Sequence, residues 1–128
     1  MNGVVPVIDR AAFSEVYEPR EDSFLFLDAL EADKEFLFSA PRTVILEIGP
    51  GSGVVSTHLS SLMGSDRPAA FFACDINPAA ARVTSQTFRN NNVAKRPHTM
   101  NCVVGDLATP FLTRLAGKVG KEDKDVVG

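Results

Sequence analysis

Apolar residues occur along this chain in short runs that are separated by helical patterns. Val44–Ile48 is a run rich in β-branched residues that ends at Gly49, and Ala69–Cys74 is a second apolar run. A third run, Cys102–Val104, ends at Gly105. Short apolar runs that alternate with helical patterns are typical of buried parallel strands joined by helices. The pattern predicts an α/β fold with a parallel sheet flanked by helices.

The intervals between these runs carry helix signals. A helix is predicted to follow Gly53 and to end at Gly64, because its inward positions have helical spacing: Val55, Leu59, Leu62 and Met63. Asn77 followed by Pro78 is a preferred helix start, with Asn as the N-cap and Pro in the first turn. The second helix is therefore expected over Ala79–Arg89.

The N-terminal part is less regular. Residues 1–15 predict an arm, and a helix is expected next from one apolar stripe: Phe24, Leu27 and Leu30. Asp22 or Ser23 is the expected N-cap of that helix. Of the two histidines, we expect His58 on a helix surface and His98 in a loop.

Composition restricts the class of protein. The chain has 128 residues, of which 45% are hydrophobic and 23% charged, so one globular domain over residues 1–128 is expected. A net charge of −3 argues against a nucleic-acid surface. No apolar run approaches the roughly 20 residues of a membrane helix, and no signal peptide is apparent. Cys74 and Cys102 are expected as buried free thiols, which suits a cytoplasmic or nuclear location.

The loop after the first predicted strand has glycines at alternate positions. Gly49, Gly51 and Gly53 let the backbone turn sharply, and the helix that follows favours a small polar or anionic ligand. A dinucleotide fingerprint would need a small residue at Val54. Glu47 lies two residues before the first glycine instead, which disfavours an NAD-dependent oxidoreductase. No Gly-Lys-Ser/Thr follows, which excludes a phosphate-loop ATPase.

An acidic residue ends each predicted strand: Glu47, Asp75 and Asp106. Ligands of open α/β sheets bind beyond the carboxyl ends of the strands. Asp75 follows Gly53 by 22 residues (75 − 53), where a nucleoside-binding fold places the acid that accepts the ribose hydroxyls. Any one of these acids can equally be solvated or cap the next helix, but the three together favour a nucleoside site.

Three segments carry a family resemblance. Tyr17-Glu18-Pro19-Arg20-Glu21-Asp22-Ser23 closely resembles the Tyr-Glu-Pro-x-Glu-Asp-Thr/Ser segment of the eukaryotic HemK-like protein methyltransferases. Gly51-Ser52-Gly53 and Asp75-Ile76-Asn77-Pro78 are similar to the next two landmarks of that family. The similarity runs from about Phe13 to the C-terminus. It implies a Rossmann-like class I methyltransferase fold that binds S-adenosyl-L-methionine.

The resemblance also implies roles for individual residues. Glu47 and Gly49 would hold the methionine end of the cofactor, and Asp75 the ribose. Asp106 with Leu107 would hold the adenine, and Ser23 would lie over the cofactor. The cofactor-binding residues implied in this way are Tyr17, Pro19, Ser23, Glu47, Gly49, Gly51, Gly53, Asp75, Ile76, Asp106 and Leu107.

The family methylates the side-chain amide of the Gln in the Gly-Gly-Gln loop of the eukaryotic class 1 translation release factor. Histone lysine methylation is also attributed to it. The resemblance further implies a small zinc-binding activator subunit as partner. These properties make a protein methyltransferase the leading expectation, with a release factor as substrate.

Members of the family grip the acceptor with an Asn-Pro-Pro-Tyr loop, which this sequence lacks. The fold is therefore expected to be cut after the start of a fourth strand at Asp125–Val127. No catalytic residue and no metal ligand is assigned. The alternative is a non-catalytic module that binds S-adenosyl-L-methionine or a partner chain.

Overall fold

The computed structural model describes residues 5–39, 44–92 and 96–106. The elements within these ranges, in chain order, are a 3-10 helix (Arg10–Ser14), α1 (Glu21–Ala32), α2 (Lys34–Leu37), β1 (Val44–Ile48), α3 (Val54–Met63), β2 (Ala69–Asp75), α4 (Pro78–Asn90) and β3 (His98–Val104). The expected fourth strand at Asp125–Val127 lies outside the described residues. None of the described helices is both long and apolar enough to cross a membrane.

The three strands form a parallel sheet in the order β1-β2-β3. Helix α4 packs against β2 and β3, where the rings of Phe71 and Phe88 lie 5.2 Å apart. On β1, the alternate residues Val44, Leu46 and Ile48 remain 66%, 41% and 51% exposed. The predicted α/β class, with parallel strands flanked by helices, is confirmed.

Helix α1 begins earlier than expected. Its N-cap is Arg20, which makes no side-chain capping bond, and Glu21 and Asp22 occupy the first turn. The prediction of Asp22 or Ser23 as N-cap was wrong. Acidic residues in a first turn stabilise the positive end of the helix dipole, which replaces a capping side chain here.

Helix α3 is covered on more than one side, because it contacts both α1 and α4. Its buried residues are Val54, Ser56, Thr57, His58, Ser60 and Met63. The prediction of a surface position for His58 was wrong, since its side chain is 0% exposed. A single-stripe pattern could not show this, because the second covering helix comes from a distant part of the chain.

Strand β3 begins at His98, four residues before the apolar run, and the prediction of a loop position for His98 was wrong. His98 Nε2 lies 3.1 Å from the Arg67 carbonyl oxygen, which can only accept, so Nε2 carries the proton. Nδ1 therefore accepts from the Ser60 hydroxyl at 2.6 Å. Ser60 Oγ in turn accepts from Arg96 Nε at 3.1 Å. The neutral histidine thus joins α3 to the starts of β2 and β3.

This network predicts a loss of stability on acidification. Burial lowers the pKa of His98 below its usual value near 6.5, so the unfolded chain takes up a proton before the folded chain does. The free energy of unfolding should therefore fall as the pH decreases below about 6.5. Urea unfolding of the wild type and of His98→Gln between pH 7.5 and 5 would measure this. Identical pH slopes for the two proteins would contradict the assignment.

Candidate cofactor-binding site

The glycine loop between β1 and α3 is held by its own backbone N–H groups. Gly49, Gly51 and Gly53 all have positive φ angles, of 70°, 58° and 85°. The Gly49 N–H donates to the Cys74 carbonyl at 2.8 Å, and the Gly53 N–H donates to the Pro50 carbonyl at 3.0 Å. The Gly51 N–H lies 3.3 Å from a carboxylate oxygen of Asp75. All three glycine donors are therefore engaged within the protein.

Helix α4 packs against the glycine loop through Thr84. A Cβ atom on Gly53 would come within 2.8 Å of the Thr84 Cα atom, a contact that side chains do not make. The Thr84 hydroxyl donates to the Gly51 carbonyl at 3.1 Å. Gly53 is thus required by both its left-handed backbone and its close contact with α4.

Glu47 caps the N-terminus of α3. The N-cap residue itself, Gly53, has no side chain to do so. The Glu47 carboxylate accepts from the Ser56 hydroxyl at 2.5 Å and also from the backbone N–H of Ser56 in the first turn of α3. Burial raises the pKa of Glu47, and these hydrogen bonds oppose that effect. The acceptor at this helix end is therefore a side chain of the protein.

Asp75 ends β2 and joins three elements. One carboxylate oxygen accepts from Gly51, and the other accepts from the Asn77 N–H at 2.9 Å. The Asp75 carbonyl accepts from the Gly105 N–H at 3.0 Å, which brings the end of β3 alongside. Each carboxylate oxygen has a further lone pair for a ligand.

A cavity of about 590 Å³ opens at this edge of the sheet. Ligand sites typically have volumes of about 300–1,000 Å³. Four predicted site residues line it: Tyr17, Gly49, Gly51 and Asp75. The rest of the lining was not predicted from the sequence and consists of Phe13, Ser14, Glu15, Val16, Asn77 and Ala80. Ala12 and Val16 are four residues apart, a spacing that indicates one apolar face on a helical turn. In the structure this face packs on α4.

The other predicted site residues lie elsewhere. Glu47 lines a second cavity, of about 430 Å³, beside β1 and α3. Pro19 lines a third, of about 160 Å³. Ser23 is half-buried within α1, Ile76 is 72% exposed, and Asp106 is exposed after β3. Leu107 lies outside the described residues.

The charge at this edge is negative. Burial raises the pKa of the Cys74 thiol, and the nearby carboxylates of Asp75 and Asp106 add to that effect. Glu15, which also lines the cavity, is paired with Arg82. Such a site favours a ligand with positive charge and hydroxyl groups over a pyrophosphate.

Known proteins resemble this chain in sequence and in fold. No family model matches the chain. Methyltransferase HEMK2 of Mus musculus and that of Homo sapiens are each 49% identical to it over 113 residues, which is 88% of this chain and 48% of theirs. The eRF1 methyltransferase catalytic subunit mtq2 of Schizosaccharomyces pombe is 40% identical over 82 residues, or 62% of this chain and 36% of that protein. The chain thus spans about half the length of the HEMK2 relatives.

Among solved structures, cofactor-bound Rv0187 from MTB superposes with a TM-score of 0.55 at 24% identity, over 84% of this chain and 45% of that one. This similarity confirms the predicted Rossmann-like fold, with a parallel sheet flanked by helices. The sequence similarities identify the chain as one of the HemK-like methyltransferases.

The contact between Gly53 and Thr84 predicts unequal effects of two glycine substitutions. Gly53→Ala should lower the free energy of unfolding more than Gly51→Ala does, because a Cβ on Gly51 meets no atom within 4 Å. The left-handed backbone alone accounts for roughly 1–2 kcal/mol in each variant. Denaturant unfolding of both variants measures the difference, and equal losses would contradict a close contact with α4.

Because Glu47 caps α3, we expect its acceptor oxygen to contribute more to the free energy of unfolding than its negative charge does. Glu47→Gln keeps an acceptor for Ser56, and its stability should stay within about 1 kcal/mol of the wild type. Glu47→Ala leaves buried donors unpaired and should lose about 1–3 kcal/mol. Thermal unfolding compares the two, and an equal loss in both would show that the negative charge itself is needed.

Proposed function

We propose that this chain binds S-adenosyl-L-methionine and forms the cofactor-binding part of a protein methyltransferase. The observation that carries the proposal is Asp75, whose carboxylate is fixed at the wall of the 590 Å³ cavity by Gly51 and Asn77. A carboxylate held in this way suits the vicinal hydroxyls of a ribose. S-adenosyl-L-methionine, the cofactor that the family relationship suggests, contains such a ribose.

The residues present fit this cofactor. A Cβ on Gly49 or Gly51 would meet no atom within 4 Å, so open space borders both glycines. Tyr17 and Glu15 line the same cavity as Asp75. When bound, the cofactor supplies an electrophilic methyl group on a sulfonium. The residues of the chain hold the nucleoside in one orientation.

The backbone N–H groups of the glycine loop are not arranged to bind a dinucleotide, which is the alternative ligand. A pyrophosphate needs backbone N–H groups that point at the ligand. Here the N–H groups of all three loop glycines bond within the protein, and the carboxylate of Glu47 accepts from Ser56 in the first turn of α3. An NAD-dependent oxidoreductase is therefore the weaker candidate.

The substrate is proposed from the family. A relative is named an eRF1 methyltransferase catalytic subunit, which supports a release factor as acceptor and a second subunit as partner. We propose the glutamine amide of its Gly-Gly-Gln loop as the methylated group, with histone lysine as a further candidate. The partner would be a small zinc-binding activator, and the location cytoplasmic or also nuclear. Transfer to a release factor, assayed with and without such an activator, tests these assignments.

A second candidate is a module that binds S-adenosyl-L-methionine or a partner chain without transferring methyl groups. Methyl transfer depends on holding the acceptor in line with the methyl group. Cofactor binding without any transfer to the release factor would support this candidate, and transfer would exclude it.

Replacement of Asp75 tests the cofactor proposal directly. Asp75→Ala should weaken binding of S-adenosyl-L-methionine by about 1.5–3 kcal/mol, or roughly 10- to 150-fold, because a charged hydrogen-bond acceptor is lost. Asp75→Asn, which keeps one oxygen, should lose less. Calorimetric titration with S-adenosyl-L-methionine and with NAD measures both affinities.

The control for this measurement is Asp66→Ala, at an exposed turn before β2. A second readout is tyrosine fluorescence during the titration. Tyr17 is the only tyrosine and the chain has no tryptophan, so a change in this fluorescence reports on the cavity that Tyr17 lines. Tight NAD binding without any response to S-adenosyl-L-methionine would refute the proposal.

A further inference from the structure

The wall of the cavity is formed largely by a segment that is not part of the sheet. Residues 5–17, called the N-terminal strap below, run beside α4 from its C-terminal to its N-terminal end. Ala12 and Val16 of the strap are buried against Ala80 and Val83 of α4. The strap residues that line the cavity are Phe13, Ser14, Glu15, Val16 and Tyr17. The cavity has this form because the strap lies on α4.

One amide side chain holds the start of the strap. Asn91, at the C-cap of α4, accepts from the Val7 N–H at 2.8 Å and donates to the Val7 carbonyl at 2.7 Å. Its second amide hydrogen is donated to the Thr87 carbonyl at 2.8 Å. This set uses both donors and the acceptor of the amide, which fixes its orientation.

The polar contacts at the cavity end of the strap are weaker. Asn77 Nδ2 lies 3.3 Å from the Glu15 carbonyl, and the ion pair between Glu15 and Arg82 is exposed. Exposed ion pairs contribute little to stability. Asn91 therefore makes the best-defined polar contact between the strap and α4, although it follows Asn77 by 14 residues, or about 21 Å of helix.

We propose that Asn91 is a positioning residue for the cofactor cavity. By holding Val7, its amide keeps the strap on α4 and thereby keeps the wall from Phe13 to Tyr17 in place. The affinity for the nucleoside then depends on a side chain that does not touch it. This inference rests on the proposed cofactor function.

Two substitutions test the role of Asn91. Asn91→Asp keeps the shape but places a carboxylate oxygen against the carbonyls of Val7 and Thr87. Val7→Pro removes the N–H that donates to Asn91 and also fixes the φ angle of residue 7. The bond from Asn91 to Thr87 remains, and the exposed Val7 side chain loses little packing. The matched control is Asn90→Asp, which adds the same charge one residue earlier at an exposed site.

Two measurements are made on each protein. Hydrogen exchange followed by NMR reads the backbone amides of Ala12 and Val16 in the strap and of Ala81 within α4. Calorimetry reads the affinity for S-adenosyl-L-methionine. We expect both test variants to exchange faster in the strap alone and to bind at least tenfold more weakly, while Asn90→Asp behaves as the wild type.

The outcomes separate the two proposals. Unchanged affinity in both variants, or equally faster exchange in the strap and in α4, would overturn the positioning role of Asn91. If the unchanged chain binds no S-adenosyl-L-methionine, the proposed function fails. In that case the exchange pattern still decides whether Asn91 holds the strap.

Discussion

The carboxylate of Asp75 is the contact on which the rest of this site depends. The two carboxylate oxygens accept from the glycine loop and from the start of α4. The backbone carbonyl of Asp75 accepts from Gly105, which follows β3. Parallel strands bring their carboxyl ends to one edge, but they do not fix the loops that follow. Asp75 does so for three loops at once. A side chain that organises the backbone in this way is also held rigid for a ligand, because it has few alternative positions left.

The same bonds decide the chemical character of the site. A glycine loop before a helix is often an anion site, because its N–H groups point outward. In this chain the glycine donors are satisfied within the protein, and the Glu47 carboxylate accepts from Ser56 at the N-terminal end of α3. The polar residues that line the cavity include Asp75, Glu15 and Asn77. That combination suits hydroxyl groups and positive charge, as a sulfonium nucleoside provides.

Local signals in the sequence were sufficient for some features and not for others. The strands, the glycine loop and the Asn77-Pro78 start of α4 follow from short segments whose chemistry is local, and the structure confirms them. The burial of His58 and His98 depends on elements distant in sequence, which periodicity does not reveal. The first turn of α1 was misplaced because acidic residues suit both a cap and a first turn.

The site was predicted unevenly for a similar reason. The spacing of Glu47, Asp75 and Asp106 identified three strand ends, and it could not say which of the three faces a given cavity. Asp75 lines the 590 Å³ cavity, whereas the carboxylate of Glu47 is directed to Ser56 beside a second one. Motif positions define an edge of a sheet; the hydrogen bonds of each side chain decide what it can still bind.

The cavity combines two parts that differ in how firmly they are held. Its floor is a loop fixed to β2 and α4 by backbone bonds and by the contact of Gly53 with Thr84. Its outer wall is an N-terminal segment that packs small apolar residues on α4 and has few polar contacts. Segments with few buried contacts open more readily than sheets do. The outer wall of the cavity is therefore expected to open more readily than the loop that Asp75 holds.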